Sequence, residues 1–336
     1  MKQRFLSFPL LILLSGFQLF LYSCEQAEPP ILTIVPGKSF GWNPIILNIN
    51  ENLNDIYFVN ENAGWIVGEN QILLSTTSGD IGWSLAPVDL PLENLRGVFF
   101  IDDQLGWIAG DLSGGTNKGQ VGYSGSGGGY PVQLETFENS INSLYFTDSK
   151  TGWVAGEGGL LAKTQDGGYT WQLIPLFTDN SIHDLYFIDD LTGWASGGNG
   201  IIFYSKDGIS WEKEDTGIES DIFAVYFIDE LHGWACGGNN TILIKQVSDD
   251  NASGWIRTTI EEEFASMEWR DIFFISSLTG WVAGQFGNLY KTTDGGLTWD
   301  KEKSNVNSTL NAIHMINGNK GWVVGDNGII ISYGSE

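Results

Sequence analysis

The sequence predicts an all-β fold, a single seven-bladed β-propeller of four-stranded blades, and three observations support it. A Gly-Trp pair in the motif Gly-Trp-x-x-Gly recurs seven times at intervals of 40 to 47 residues, the repeat length of a propeller blade. The 336 residues include 44 Gly and 14 Trp, a composition typical of repeated short strands and turns. The last repeat stops after its third strand, while an N-terminal segment resembles a fourth strand. The pairs are Gly64-Trp65, Gly106-Trp107, Gly152-Trp153, Gly193-Trp194, Gly233-Trp234, Gly280-Trp281 and Gly321-Trp322.

Each repeat begins with an apolar inner strand, such as Leu53 to Val59 or Ile182 to Ile188. A polar turn follows, and the Gly-Trp pair then opens the second strand. A short Gly/Asn loop leads to a third apolar strand, such as Gly200 to Ser205. In an antiparallel meander the turns after strands one and three lie at one end of the propeller, which we term the bottom. The loops after strands two and four lie at the other end, the top. The first residues of the polar turns, whose side chains stabilise tight reversals, are Asn60, Asp102, Asp148, Asp189, Asp229, Ser276 and Asn317.

The third strand ends in a turn that matches the Asp-box pattern. It is most complete from Thr164 to Trp171 and from Thr292 to Trp299, is shortened from Ser205 to Trp211, and is degenerate in repeats one, two and five. We expect a structural role, in which the carboxylate accepts turn N–H groups, the Gly residues adopt positive φ and the Trp packs on the sheet. The residues assigned to these turns are Asp166, Trp171, Asp207, Trp211, Asp294 and Trp299.

The seventh repeat lacks an Asp-box Trp and a fourth strand, and the N-terminus is expected to supply both. Phe40 to Leu47 reads like the segment that follows an Asp box, with Trp42 in the place of the Asp-box Trp. Pairing the two chain ends in the last blade closes the ring and leaves no unpaired blade. The predicted propeller therefore covers residues 40–334.

The N-terminus has the features of a bacterial lipoprotein signal. Lys2 and Arg4 precede an apolar run that ends in Leu21-Tyr22-Ser23-Cys24, which resembles a lipobox. We therefore expect residues 1–23 to be a signal peptide, Cys24 to be lipidated and residues 24–39 to be a tether. The mature protein would be exported and anchored by lipid, with the outer membrane or cell surface favoured. An uncleaved anchor or an ordinary secretory signal are the alternatives.

The net charge of −25 disfavours nucleic acid and anionic membrane surfaces as partners. Cys236 is the only cysteine besides Cys24, so no intramolecular disulfide is expected, and its register holds small residues elsewhere. The three His residues fall in different repeats and registers, so no metal site and no cofactor are expected. The Glu261-Glu262-Glu263 run is interpreted as a solvated loop.

One position of the inner strands varies while its neighbours stay apolar. This second position either satisfies a neighbouring loop in each blade or forms a recognition ring at the channel mouth. Its occupants are Asn54, Arg96, Asn142, His183, Phe223, Arg270 and Asn311. The candidates for binding a partner at the top are Arg96, His183, Phe223, Arg270, Phe286 and Glu157.

Two classes of enzyme share parts of this pattern. A sialidase needs three converging arginines, but Arg96, Arg257 and Arg270 fall in different repeats. A glycoside hydrolase needs two carboxylates about 5–10 Å apart. The available residues are Asp55, Asp184 and Asp271 at the third inner-strand position, where Asp also caps a strand.

Together, the inner-strand pattern, the Gly-Trp-x-x-Gly strands and the Asp-box turns of residues 40–334 resemble the Ycf48/Hcf136-like group of propellers, named for photosystem II assembly factors. Sialidases, sortilin-type receptors and xyloglucanases share only the Asp-box (BNR repeat) turn. The resemblance implies a non-catalytic scaffold or assembly factor that binds a protein partner in the cell envelope. Photosynthetic members present a basic arginine patch to their partner, whereas this chain has three arginines after processing. The alternative is a cell-surface protein that binds or cleaves carbohydrate.

Overall fold

A computed structural model describes residues 40–129, 131–247, 253–260 and 266–334, and these residues form seven four-stranded antiparallel sheets. The predicted signal peptide, tether, Cys24 and the Glu261–Glu263 run lie outside the described residues. The strands that these ranges contain divide into an N-terminal strand and seven blades, given in chain order below.

The N-terminal strand is β1 (Gly41–Ile45). Blade 1 contains β2 (Leu53–Phe58), β3 (Gly64–Gly68), β4 (Leu73–Thr76) and β5 (Ser84–Leu85). Blade 2 contains β6 (Leu92–Phe100), β7 (Gly106–Leu112), β8 (Gly119–Ser124) and β9 (Val132–Phe137). Blade 3 contains β10 (Ile141–Phe146), β11 (Gly152–Gly156), β12 (Leu161–Thr164) and β13 (Gln172–Leu173). Blade 4 contains β14 (Ile182–Phe187), β15 (Gly193–Gly197), β16 (Ile202–Ser205) and β17 (Trp211–Glu214). Blade 5 contains β18 (Ile222–Phe227), β19 (Gly233–Gly237), β20 (Thr241–Val247) and β21 (Ser253–Thr258). Blade 6 contains β22 (Trp269–Phe274), β23 (Gly280–Gly284), β24 (Leu289–Thr292) and β25 (Asp300–Lys301). Blade 7 contains β26 (Leu310–Asn317), β27 (Lys320–Gly325) and β28 (Ile329–Gly334), and short 3₁₀ turns occupy Glu157–Gly159, Gln285–Gly287 and Asp326–Gly328.

The N-terminal strand closes the ring, which confirms the predicted architecture. The sheet of blade 7 has the order β1-β28-β27-β26, and β1 pairs antiparallel with β28 from Gly41 opposite Gly334 to Ile45 opposite Ile330. Trp42 is buried against Tyr333, with 5.1 Å between their ring centroids. The first and last strands of the propeller are therefore held together in one sheet.

Neighbouring blades are joined by stacked aromatic rings. In six of the seven blades, the Phe at the sixth inner-strand position lies flat on the Gly-Trp indole of the preceding blade, with 3.5 to 3.8 Å between centroids. In blade 7 Met315 takes this place and packs in one cluster with Trp281. The Phe-Trp pairs are Phe58–Trp322, Phe100–Trp65, Phe146–Trp107, Phe187–Trp153, Phe227–Trp194 and Phe274–Trp234.

The bottom turns add hydrogen bonds inside and between blades. The Asp166 carboxylate accepts the Thr170 N–H at 2.8 Å, and that of Asp294 accepts the Thr298 N–H at 2.9 Å. In the shortened turn Asp207 accepts the Ser210 N–H at 2.6 Å. The indoles of Trp171, Trp211 and Trp299 stand edge-on to the stacked Phe of their own blades.

The same turns also accept hydrogen bonds from the preceding blade. Four Gly-Trp indoles donate their N–H to a glycine carbonyl in the bottom turn of the following blade, at 2.8 to 2.9 Å. Trp322 donates to the Asp80 carboxylate in blade 1 at 2.9 Å. The four donor–acceptor pairs are Trp65–Gly127, Trp107–Gly167, Trp153–Gly208 and Trp234–Gly295.

Candidate functional site: the channel and its top rim

The inner strands carry three carboxylates at the third position, and each one joins two blades. Asp55 accepts the N–H of Ile56 at 2.7 Å and that of Val98, in the next blade, at 2.8 Å. Asp271 bonds Ile272 and Ile313 in the same way, both at 2.7 Å. The glycosidase hypothesis proposed these carboxylates, together with Asp184, as catalytic groups. In the structure, both oxygens of each carboxylate accept backbone N–H groups.

Ser143 occupies in blade 3 the inner-strand position that Asp184 occupies in blade 4, and each accepts a backbone N–H from the following blade. The Asp184 carboxylate accepts the N–H groups of Leu185 at 2.8 Å and Val225 at 3.0 Å. In blade 3 the Ser143 hydroxyl accepts the Leu185 N–H at 3.2 Å and donates to Asp184 at 3.1 Å. A neutral hydroxyl can therefore bridge blades where an aspartate does so elsewhere.

Burial in the channel raises the pKa of these carboxyl groups. The pKa of Asp55 rises to about 6 and that of Asp184 to about 7, in each case against hydrogen bonds from the backbone that favour the charged form. Burial also holds the pKa of Asp271 well above its ordinary value, and the nearby Asp184 and Asp55 charges act in the same direction. The three groups thus hold protons more readily than exposed aspartates.

A closed ring of aromatic side chains lines the channel below the aspartates. Each of the seven blades contributes its fifth inner-strand residue, and every neighbouring pair is in contact, with centroids 4.6 to 5.5 Å apart. This ring and the aspartates enclose a cavity of about 310 Å³. Burial lowers the pKa of the ring histidine, His314, to about 4, so it is a neutral ring member at pH 7. The members are Tyr57, Phe99, Tyr145, Tyr186, Tyr226, Phe273 and His314.

At the top rim, the second-position residues occupy a bulge in each inner strand and divide into two groups of three, with Arg96 of blade 2 apart from both. In blades 1, 3 and 7 this residue is Asn, and its side-chain amide donates to the first-position carbonyl of the next blade at 2.7 to 3.0 Å. In these three blades the residue is a structural clamp. The pairs are Asn54–Leu95, Asn142–Ile182 and Asn311–Leu53.

In blades 4, 5 and 6 the second-position residues contact one another instead. The His183 and Phe223 rings lie 5.4 Å apart, and the Arg270 guanidinium lies 4.7 Å above the Phe223 ring. Arg270 also pairs with Glu268 at 2.6 Å. His183 Nε2 and Arg270 Nε are buried and have no hydrogen-bond partner within the described ranges. We term His183, Phe223 and Arg270 the rim cluster.

The charge of the rim cluster is modest. Burial lowers the pKa of His183, the Arg270 charge adds to this effect, and the carboxylates of Asp221 and Glu157 oppose it. His183 is therefore mainly neutral at pH 7 and serves as an aromatic ring and a polar contact. Arg270 is the one permanently charged member, and Glu268 balances it in the free protein.

The other predicted rim residues lie around this cluster. Two guanidinium nitrogens of Arg96 contact one oxygen, Oδ2, of Asp111 on the same blade, at 2.8 and 2.9 Å. Glu157 accepts hydrogen bonds from Ser181 and from Asn142. Burial by itself would raise the pKa of Glu157, but these bonds and the nearby positive charges of His183 and Arg96 lower it.

Phe286 projects from the turn between β23 and β24, on the same blade as Arg270. It is 62% exposed and has a φ of 58°, a left-handed conformation that is costly for a bulky side chain. At the same point of the turn, blades 3, 4 and 7 carry Gly158, Asn199 and Asn327, residue types that tolerate this conformation. An exposed aromatic at a strained position favours a role in binding.

The remaining enzyme hypotheses lack the required geometry. The three arginines of the sialidase hypothesis, Arg96, Arg257 and Arg270, lie on blades 2, 5 and 6. Each contacts a residue of its own blade, so they do not form an arginine triad.

Cys236 is fully buried, burial raises its pKa well above the ordinary value, and its Sγ lies 3.6 Å from the Trp269 carbonyl. Within the described ranges there is no group of three His, Cys, Asp or Glu side chains arranged to hold a metal ion. In the same ranges no helix is long and apolar enough to span a bilayer.

The fold and the rim define a class of protein, a single seven-bladed propeller of Gly-Trp repeats whose inner strands are tied across blades and whose top carries an aromatic and cationic cluster. The chain belongs to the family described as photosynthesis system II assembly factor YCF48, whose profile matches residues 36–114 and 240–334, just over half of the chain.

Comparisons with individual proteins agree with this placement. The chain is 38% identical over 65 residues to the chloroplastic photosystem II stability/assembly factor HCF136 of Oryza sativa subsp. japonica, covering 19% of this chain and 16% of that protein. It is 31% identical over 88 residues to the photosystem II assembly lipoprotein Ycf48 of Synechocystis sp., covering 26% of each. The matches thus span about a quarter or less of these relatives. A solved structure of YCF48 bound to D1 peptide superposes with a TM-score of 0.72 at 20% identity, covering 92% of this chain and 100% of that one.

Proposed function

We propose that this protein is a lipid-anchored, non-catalytic scaffold that binds a segment of a protein partner across the top of blades 4 to 6 and assists the assembly of a complex in the cell envelope. Cys24 carries the lipid, and residues 24–39 connect it to the propeller. The partner contacts the rim cluster, with Phe286, Glu157 and Arg96 at its border. The protein acts outside the cytoplasm, at the outer membrane or the cell surface.

The replacement of the Asn clamp in three consecutive blades carries this proposal. Asn54, Asn142 and Asn311 show what the second position does when it serves only the fold. His183, Phe223 and Arg270 lack that bond, and His183 Nε2 and Arg270 Nε have no hydrogen-bond partner in the described ranges. A bound segment that offers hydrogen-bonding groups would satisfy both nitrogens. Aromatic and Arg side chains are also the types enriched at the centres of protein interfaces.

The relatives support both parts of the proposal. Those from Synechocystis sp. and Nostoc sp. are photosystem II assembly lipoproteins, and a YCF48 structure holds a D1 peptide. A propeller of this family is thus able to bind a peptide. The partner of this chain need not resemble that peptide, because the chain has few arginines with which to form a basic patch.

The test is affinity purification of the tagged full chain from solubilised envelope, followed by quantitative mass spectrometry. A protein that co-purifies with the wild type should fall by about tenfold with His183→Ala/Arg270→Ala, the loss of a moderate interface hot spot. Arg257→Ala is the matched control, since Arg257 is an arginine on the outer strand of blade 5, and it should change nothing. Equal recovery with both variants, or no co-purifying protein after crosslinking, would contradict the proposal.

A further inference from the structure

The topology of blade 7 determines where the anchoring segment leaves the propeller. β28 begins after the top turn at Asp326–Gly328 and runs toward the bottom, where it ends at Gly334. Gly41 pairs with Gly334, so β1 starts at the bottom and runs upward. Residues 24–39 therefore join the propeller at its bottom, the end opposite the rim cluster.

Exposed apolar side chains are concentrated at the same end. Of the sixteen large hydrophobic side chains that are exposed in the described ranges, nine lie at the bottom, four on the outer strands and three at the top. Most large exposed apolar groups on a monomer's surface are scattered, so a bias toward one face indicates a contact surface. The nine are Phe40, Ile81, Tyr169, Leu191, Ile209, Leu231, Ile275, Leu278 and Leu297.

Four of the nine come from the Asp-box turns, and three from one register of the first bottom turn. Blades 4, 5 and 6 place Leu191, Leu231 and Leu278 at its third residue, with exposed fractions of 49, 55 and 57%. The other blades carry polar residues in this register, namely Asn62, Gln104, Lys150 and Asn319. The turn itself therefore does not require leucine.

Three of the exposed leucines form a continuous surface. Leu231, Leu278 and Leu297 line one groove of about 450 Å³ between blades 5 and 6, together with Trp234 and Ile244. Blade-to-blade packing thus brings apolar groups from separate turns into one patch on the bottom face.

We infer that the bottom is the membrane-facing surface of the propeller. Its exposed leucines in blades 4 to 6, Leu191, Leu231 and Leu278, contact a zwitterionic lipid surface. The inference depends on the proposed lipidation of Cys24. Sixteen residues, 24–39, reach at most about 58 Å when extended, so the propeller stays near the bilayer that holds the lipid. The bottom turns also carry many carboxylates, including Asp189 and Asp229 beside the leucines, so strongly anionic lipid is disfavoured. The rim cluster then points away from the membrane, toward a partner's exposed segment.

The experiment places the same label at the two ends of the propeller. Ser277→Cys puts a fluorophore beside Leu278 at the bottom, and Ser113→Cys puts it on the top loop of blade 2; Cys236 is buried. The lipidated full chain is reconstituted into phosphatidylcholine vesicles containing a doxyl-labelled lipid. The bottom label should be quenched about threefold more than the top label, as interfacial groups enter the headgroup region by ~5–10 Å. Equal quenching of the two labels would overturn the inference.

Two controls separate the possible causes of failure. If the wild type and Cys24→Ala both fail to float with vesicles, the anchor itself fails; flotation with equal quenching refutes only the orientation. Leu278→Ser/Leu297→Ser should remove most of the bottom quenching, whereas Leu173→Ser on the outer strand of blade 3 should not. If the bottom label is shielded only when an envelope protein is added, then that protein occupies the bottom surface. This result would overturn the lipid assignment.

Discussion

Single residues in the Gly-Trp motif have linked roles that explain why the pair recurs. The Trp provides the flat surface on which the next blade's Phe stacks, and the Gly leaves room for the Phe of its own blade. A Cβ built at Gly193 would lie 2.4 Å from the Phe187 ring. At Gly233 the corresponding distance to Phe227 is 2.1 Å. The requirement for Gly at these positions is therefore steric, because no side chain fits beneath the ring.

Gly193→Ala should lower the free energy of unfolding by about 2–3 kcal/mol, since the Phe187 ring must move off Trp153 to admit the methyl group. Gly254→Ala is the matched control, because a Cβ at Gly254 meets nothing within 4 Å. Denaturant unfolding of both variants tests this. Similar losses in the two variants would mean that the motif glycine has no special steric role.

The channel aspartates predict an unusual dependence of stability on pH. Asp184 has a pKa of about 7 in the folded protein and near 3.8 when unfolded. Between these values the folded state keeps a proton that the unfolded state releases, so stability falls as pH rises from about 4 through 7. Asp55, with a pKa of about 6, acts in the same direction. The bottom-turn Asp207 acts oppositely, because N–H groups of Ser210 and Ile209 lower its pKa to about 2, so its contribution is lost only in stronger acid. His314, whose pKa falls from 6.5 to about 4 on folding, opposes the channel aspartates below about pH 6.5 and offsets part of their effect.

The free energy of unfolding should therefore be about 1–3 kcal/mol higher at pH 5 than at pH 8. Asp184→Ser tests the cause, because it copies Ser143, which bridges blades through a hydroxyl that does not ionise in this range. Its stability should change less between pH 5 and pH 8 than that of the wild type, as measured by urea unfolding in matched buffers. An unchanged slope would show that Asp184 is not responsible.

At the level of the structural element, the bottom turn joins neighbouring blades as well as the third and fourth strands of one blade. The Asp-box sequence predicts hydrogen bonds within the turn, and these are present in blades 3, 4 and 6. It does not predict the bond from the preceding blade's indole N–H, because that contact depends on how blades pack. Trp153 makes this bond to the Gly208 carbonyl, while the Trp281 N–H is buried with no partner in the described ranges.

Trp153→Phe should therefore cost about 1 kcal/mol more than Trp194→Phe, because the Trp194 N–H is likewise buried without a hydrogen-bond partner in the described ranges. Both changes remove the same atoms from an indole that stacks on a Phe of the next blade and lies beneath a lysine ammonium, at 4.7 Å for Lys163 and 5.4 Å for Lys245. The difference between the two variants in thermal and urea unfolding isolates the inter-blade hydrogen bond. Equal losses would assign the indole's role to stacking alone.

At the scale of the whole molecule, the repeat predicts the seven blades and the closing role of β1, because the Gly-Trp spacing is regular and the incomplete copies lie at the chain ends. For the top rim, the sequence predicts which position of the inner strands varies, but not which of its residues serve the fold and which are available to a partner. Whether Asn142 or His183 serves the fold depends on which groups the next blade presents, and that is a property of the assembled ring. The closed aromatic ring was not predicted, although all seven fifth-position residues, from Tyr57 to His314, are aromatic.

The rim cluster is the central functional claim, and site-specific photocrosslinking in living cells tests it most directly. A benzophenone amino acid replaces Phe223 in the full chain, and in a control replaces Tyr169, an exposed aromatic at the bottom of the propeller. We predict one dominant crosslinked protein from position 223 that weakens when His183→Ala and Arg270→Ala are added, and no such product from position 169. Identical products from both positions, or none from position 223, would contradict binding at the top of blades 4 to 6.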